Sequence, residues 1–315
     1  MNFKKPVVVV SKCLEFDYVR YNGQIIKSKT VDKLKDFVEF IPVCPEVEIG
    51  LGVPRKPIRI IKDSKTKQKK LLQPITGNDV TKKMSLFVND FLDNLKDVDG
   101  FILKEESPTS GLYNVKQYLG ESKSASIVTG AGFFGEEVLK RFSEKCAIES
   151  EKRLNNENIR ELFFIKIFTF RDFKETIKTK NIKDLQEFHA KNKFLLLTYN
   201  QKNFRKMGKL IASYNKKNYL EIKEEYSKLL FSTFKKQPTE NHFISSVEHV
   251  FGYFKGKVSK KEKEHFLELL EEYRDLRIPL TVLLNLLRGH AIRFNEEYIL
   301  KQTLLNPFPK KLIFK

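Results

Sequence analysis

The sequence predicts an α/β domain with a mostly parallel sheet, followed by an all-α domain. Three observations carry that prediction. Up to about residue 150, short apolar runs of strand length alternate with helical patterns, which is the signature of strands joined by crossover helices. From about residue 155 the apolar residues recur at helical spacing almost to the end. The 315 residues give room for two domains of ordinary size, and 41% of them are apolar, with 27 Phe and no Trp, so the cores are expected to use Phe, Leu and Ile. The expected division is 1–150 for the α/β domain, 151–182 for a helical connector and 183–315 for the helical domain.

In the first part, Val7–Val10 reads as a buried strand, Val31–Phe37 as a short helix and Phe40–Val43 as a second strand. Ile58–Ile61 reads as an edge strand, with the Lys-rich run Lys62–Lys70 as the turn of a solvated hairpin. Thr81–Leu95 is amphipathic, with Met84, Phe87, Val88, Phe91, Leu92 and Leu95 at helical spacing. Gly100–Leu103 is a further buried strand, and Val115–Tyr118 and Ser126–Val128 are weaker ones. Three strands run at once, or nearly so, into polar turns: Ser11-Lys12-Cys13, Cys44-Pro45-Glu46 and Ser107–Gly111. In an open parallel sheet, ligand sites lie beyond the carboxyl ends of the strands, so these separate segments are expected to meet at one edge.

In the second part, Asn156–Thr169, Ile182–Thr198, Asn203–Tyr214, Tyr219–Thr233, Glu240–Phe254, Lys260–Tyr273 and Pro279–His290 read as helices. All five His residues fall here, without the spacing of a metal-ligand pair. The string Gly130–Gly135 fits GxGxxG. A dinucleotide site would need an acidic residue about 20 residues on, at a second strand, whereas the region that follows reads as Lys/Glu-rich and helical, so a tight turn that lets a helix pack closely is preferred.

The net charge of +19 is uneven: residues 1–150 hold 25 Lys and Arg against 20 Asp and Glu, and residues 151–315 hold 34 against 20. The excess fits either a polyanionic partner, nucleic acid first, or a Lys-rich solvating surface. Lys191, Lys193, Lys202, Arg205, Lys206 and Lys209 cluster on two adjacent helices, with Arg288 and Arg293 near the end, as candidate phosphate contacts. No apolar stretch reaches membrane-span length, and Val7–Val10 is too short for the core of a signal peptide, so a cytoplasmic location is expected. Three cysteines, Cys13, Cys44 and Cys146, suggest no disulfide framework. Cys13 and Cys44 are either metal or redox groups or small buried residues.

Three stretches resemble the thiouracil desulfidase (TudS) family: Val10–Leu14 with Val19–Gly23, the run Val43–Arg55, and Asp99–Lys104 with Ser107–Leu112. Leu185–His189, Met207–Leu210, Val250–Phe254 and Ile278–Leu280 resemble the YbgA-type helical domain often fused to it. The resemblance implies a 4Fe-4S cluster held by three cysteines with one iron open to the sulfur of a thiolated uracil. A carboxylate assists water, and oxygen replaces sulfur without net redox change. It implies 4-thiouridine in tRNA as the substrate class and tRNA as the partner of the helical domain. Carried over, Cys13 and Cys44 are cluster ligands, Glu46 is the catalytic carboxylate and Ser107 a site serine. Ser110 stands where the family has its third cysteine, and a hydroxyl is a hard, weakly acidic substitute for a thiolate. Three outcomes stay open: lost desulfidation with RNA binding retained, an unusual third ligand, or a substituted residue.

Overall fold

The computed structural model describes residues 3–63, 65–122, 125–215 and 218–314. The chain forms two compact units, one built on Lys4–Arg171 and the other on Asp172–Lys311.

The first unit holds a four-stranded, all-parallel sheet. Its strands are β1 (Val7–Ser11), β2 (Glu39–Val43), β6 (Gly100–Leu103) and β9 (Ala147–Ser150), in the order β2-β1-β6-β9. Helix α1 (Lys29–Leu34) connects β1 to β2, and Ser28 caps it by accepting from the Val31 amide. A single turn, α2 (Pro45–Glu48), starts directly after β2, with Cys44 at its head and Pro45 in its first position.

A second, five-stranded sheet is inserted. It comprises β3 (Arg59–Lys62), β4 (Lys69–Gln73), β5 (Asn78–Asp79), β7 (Val115–Tyr118) and β8 (Ile127–Gly130), in the order β5-β4-β3-β7-β8. The expected edge strand at Ile58–Ile61 is therefore an inner strand. Ile58 and Ile60 are buried, and the Lys-rich turn folds β4 back along one side while β7 pairs along the other. Ser64, within that turn, lies outside the described residues.

Helices α3 (Thr81–Asn94) and α4 (Phe133–Phe142) pack together over the core. Met84, Val88 and Leu92 fall on one face of α3, as their spacing requires, and meet Phe101, Phe134 and Phe142. The Phe101 and Phe142 rings lie 5.0 Å apart and those of Phe91 and Phe134 5.7 Å apart. Burying each such ring contributes about 2–3 kcal/mol. On the other side of the parallel sheet runs α5 (Glu157–Lys178). A Cβ on Gly100 would stand 2.8 Å from the Ile167 side chain, so the glycine admits the helix. Both faces are thus covered, as the buried central strands β1 and β6 demand. Asp99, wholly buried, accepts from the Val7 amide and from Arg171 Nε at 2.8 Å each, and Arg171 also pairs with Asp97 at 2.9 Å.

The second unit is helical: α6 (Ile182–Lys191), α7 (Lys193–Ala212), α8 (Tyr219–Thr233), α9 (Glu240–Phe251), α10 (Lys260–Arg274), α11 (Leu280–Arg293) and the short α12 (Glu297–Leu300). The single helix expected over Ile182–Thr198 is two. Asn192 breaks it, and its side chain bonds back to the Phe188 carbonyl at 2.8 Å. The expected gap before Asn203 is a kink at Asn200 (φ −161°, ψ 94°), whose side chain accepts from the Asn203 amide at 2.9 Å and restarts the helix. The core is aromatic, with Phe173 stacked on Tyr226 at 5.6 Å and Phe251 on Phe266 at 3.7 Å. Among the described residues no helix is long and apolar enough to cross a membrane.

Candidate active site

The four parallel strands deliver their next residues to one rim. Ser11 ends β1 and Cys13 follows it. Cys44 follows β2, Lys104 follows β6 and Glu151 follows β9. There they close a cavity of about 210 Å³ that Cys13, Cys44, Glu46, Lys104, Ser107 and Ser110 all line. An engineered cavity of about 150 Å³ admits benzene, so one heterocyclic ring fits here. All five residues expected at the α/β site therefore converge.

Glu46 is the most constrained of them. Its Oε1 accepts from Thr109 Oγ1 at 2.9 Å and from Ser107 Oγ at 3.4 Å, and its Oε2 is paired with the Arg55 guanidinium. Arg55 is itself held by the carbonyls of Val19 at 2.9 Å and Gly52 at 3.2 Å. Ser107 accepts the amides of Thr109 and Ser110 at 3.2 and 3.1 Å, which leaves its proton for Glu46 or Thr109.

The loop carrying Ser107 and Ser110 is gripped by the head of α4. The amides of Phe134 and Gly135 donate to Thr109 O, that of Phe133 to Pro108 O and that of Gly132 to Gly111 O, at 2.8–3.2 Å. A Cβ on Gly132 would stand 2.5 Å from Thr109 O, and one on Gly135 would overlap Gly111 O. The string Gly130–Gly135 is thus a close-packing device. The amides that would cradle a phosphate already serve the loop.

Burial first, then the neighbouring Cys44 and Glu46, pushes the Cys13 thiol up to about 12, while Lys104 pulls the other way. Burial and Glu46 likewise raise Cys44, opposed by the Val47 amide and Arg55. Cys44 Sγ lies 3.9 Å from the Val19 carbonyl. Without a cation both thiols keep their protons. Lys104 Nζ donates to Glu151 Oε1 at 2.5 Å and to the Glu105 carbonyl at 2.9 Å.

As donors, the cavity offers two soft thiols and, at Ser110, a hard hydroxyl. Ser110 is 4% exposed, and its hydroxyl has no hydrogen-bond partner among the described residues. No group of three Cys, His, Asp or Glu able to hold a metal occurs among them. A cluster bound by three thiolates does not fit this donor set, in which only Cys13 and Cys44 are thiols. Cys146 lies elsewhere, its thiol on the Val98 carbonyl at 3.0 Å.

Arg55, Thr109, Lys104 and Glu151 had no role in the sequence reading. The first three stand inside the motif stretches, and their signal was only that a charged or hydroxyl side chain sits beside a strand end. Glu151 follows β9, whose short apolar run Cys146–Ile148 gave no separate strand signal.

In the helical unit, Lys191 pairs with Asp172 at 2.9 Å, Lys193 donates to Tyr253 OH at 3.2 Å and Arg288 to Asn306 at 2.7 Å. Arg293 is paired with Glu262. Lys202, Arg205, Lys206 and Lys209 are exposed, share one face of α7 and have no ion-pair partner among the described residues.

Residues 8–151 match the family described as 2-thiouracil desulfurase, and residues 193–309 that described as protein of unknown function (DUF1722). The chain is 29% identical over 140 residues to the uncharacterized protein YbbK of Bacillus subtilis (strain 168), covering 40% of this chain and 92% of that protein. Among solved structures it is similar to a 4Fe-4S-dependent thiouracil desulfidase, TudS, at 26% identity and a TM-score of 0.39, over 48% of this chain and 94% of that one. One chain thus joins a region matching the 2-thiouracil desulfurase model, residues 8–151, to a region matching the DUF1722 (YbgA-type) model, residues 193–309.

Proposed function

We propose that this protein removes sulfur from thiolated uracil, with 4-thiouridine in tRNA as its substrate class. The observation that carries the reading is the single ring-sized cavity in which Cys13, Cys44, Glu46, Ser107 and Ser110 meet. Water attacks the carbon bearing sulfur, a C–O bond forms and the C–S bond breaks. Glu46, oriented by Thr109, Ser107 and Arg55, accepts a proton from the water. Sulfur takes protons and leaves as hydrogen sulfide, and no electrons are exchanged with another partner. An iron–sulfur cluster would supply a soft Lewis acid for the thiocarbonyl, but this chain offers it two thiolates, Cys13 and Cys44, one short of three, and the steps carried by Glu46 do not pass through it.

Ser110 favours a second reading, a tRNA-binding relative that has lost desulfidation. Anaerobic purification with iron and sulfide analysis, alongside loss of 4-thiouridine absorbance in tRNA, separates the two. Ser110→Cys is expected to raise bound iron and sulfide and to speed desulfidation at least about tenfold. A wild-type chain that binds tRNA but has neither iron nor activity, and gains neither in Ser110→Cys, would leave only the second reading.

A further inference from the structure

Beside the cavity, the inserted sheet presents a basic, aromatic face that the site chemistry does not use. Strands β3 and β7 run parallel, with Ile60 opposite Gln117 and Ile61 opposite Tyr118. Ile60 and Gln117 are buried, so the alternate residues Arg59, Lys116 and Tyr118 point to the other face. There Arg59 lies over the Tyr118 ring, its guanidinium carbon 4.8 Å from the centroid. Lys70, on β4 opposite Ile61, adds a third cation to this face. None of these three cations has an ion-pair partner among the described residues.

A groove of about 350 Å³ runs along this face, lined by Arg59, Asn114, Lys116 and Tyr118, with Glu106 and Pro108 on its remaining side. Glu106 is neutralised by Lys152 at 3.0 Å. Glu106 and Pro108 also line the cavity, so groove and cavity share a wall and open side by side.

We infer that this groove holds the sugar–phosphate backbone of a single-stranded RNA segment whose thiolated base enters the cavity. The inference deepens the proposed function and rests on it for the base. The backbone contact rests on the groove alone. Unpaired cations beside a part-exposed aromatic ring are what single strands use: phosphates meet the cations and a flanking base stacks on the ring. Arg59, held against the Tyr118 ring, carries the planar fork that a bidentate phosphate contact uses. A free base reaches no farther than the cavity, so the groove would favour a nucleotide within a chain over free thiouracil.

The test is fluorescence anisotropy of a labelled oligouridylate with the full chain over a range of salt. Arg59→Ala/Lys116→Ala should bind about tenfold more weakly, with a salt slope shallower by about 1.4, since each lost single-strand phosphate contact removes about 0.7. Tyr118→Leu should weaken binding about fivefold with an unchanged slope. Lys82→Ala/Lys83→Ala on α3 removes the same charge elsewhere and should stay within about twofold of wild type. A groove variant indistinguishable from that control would overturn the inference, provided its thermal melting matches wild type. If melting shifts, Lys116→Gln alone decides, with a slope shallower by about 0.7.

The oligouridylate carries no sulfur, so the two ideas fail separately. A chain that binds it through Arg59 and Lys116 yet leaves 4-thiouridine intact keeps the groove and loses the activity. One that desulfurises free 4-thiouracil while its RNA affinity ignores both residues does the reverse.

Discussion

Glu46 shows how little freedom a site residue has here. Both oxygens are engaged, one by two hydroxyls and one by Arg55, and Arg55 is nearly as buried as a core side chain. Glu46→Gln keeps the shape but turns an NH₂ donor toward a guanidinium that has only donors. Unfolding in urea should show a loss of about 1–3 kcal/mol, the cost of leaving a buried charged donor without its acceptor. Desulfidation should fall at least about 100-fold, as removal of a general base does. Unchanged activity together with lost stability would make Glu46 a structural anchor for Arg55 and nothing more. Cys13, Cys44, Glu46, Ser107 and Ser110 were legible because each sits in a long motif at a strand end. Arg55 and Thr109 were not. Their function is to hold Glu46, and that contact exists only once the 53–55 turn and the 107–111 loop have been brought to the same rim.

Two elements act as supports for function, and each can be tested as one. The first is the contact between the head of α4 and the 107–111 loop. Gly132→Ala forces a methyl group against Thr109 O, and the backbone there has little room to retreat. Stability should fall by about 1–3 kcal/mol, and the apparent KM for thiolated substrate should rise because Ser107, Thr109 and Ser110 shift together. A KM equal to wild type in a destabilised variant would disconnect the helix from the site. The second is the packing of α6 against α7 and α8 through His189. Its ring stacks on Phe204 at 4.8 Å and its Nδ1 meets Tyr226 OH at 3.0 Å. Burial lowers its pKa from 6.5 to about 4, so the folded state keeps it neutral. The unfolded chain takes up a proton first as pH falls. The stabilisation is thus whole above pH 6.5 and is lost progressively between 6.5 and 4, on the order of 2 kcal/mol. Urea midpoints at pH 7 and pH 4.5 should differ more for wild type than for His189→Gln, and equal differences would assign the effect to other groups. Elements whose signal is periodic were read well from sequence: β1, β2, α3, β6 and α8 lie where their apolar spacing puts them. The misreadings have local causes. Ile58–Ile61 looked like an edge because a Lys-rich run follows it, yet β7, more than fifty residues on, covers its free side. Asn192 ends α6 by bonding its own side chain to the backbone inside an otherwise unbroken apolar pattern.

At the scale of the whole chain, charge is the property that composition shows and pairing refines. The excess in residues 151–315 looked like one basic surface, but the structure sorts it. Lys191, Lys193, Arg288 and Arg293 are tied to Asp172, Tyr253, Asn306 and Glu262, whereas Lys202, Arg205, Lys206 and Lys209 stand free along α7 among the described residues. A long-range attraction to tRNA would use the second set, together with Lys193 and Arg288, whose partners Tyr253 and Asn306 are neutral, because a cation paired with a carboxylate, as Lys191 and Arg293 are, releases few counterions on meeting phosphate. Replacing all four by Gln should therefore flatten the dependence of tRNA affinity on salt, by up to about 3.6 in log–log slope if each meets duplex phosphate. Replacing Lys191 and Arg293, both paired with carboxylates, should change the slope by well under one. Circular dichroism should be unaltered in the first case, since these side chains are exposed and support no packing. Desulfidation of free 4-thiouracil should be unaffected by the α7 substitutions, which leave the cavity intact, while desulfidation within tRNA should lose efficiency through KM alone. A salt slope that survives all four substitutions would mean that α7 only keeps the protein solvated.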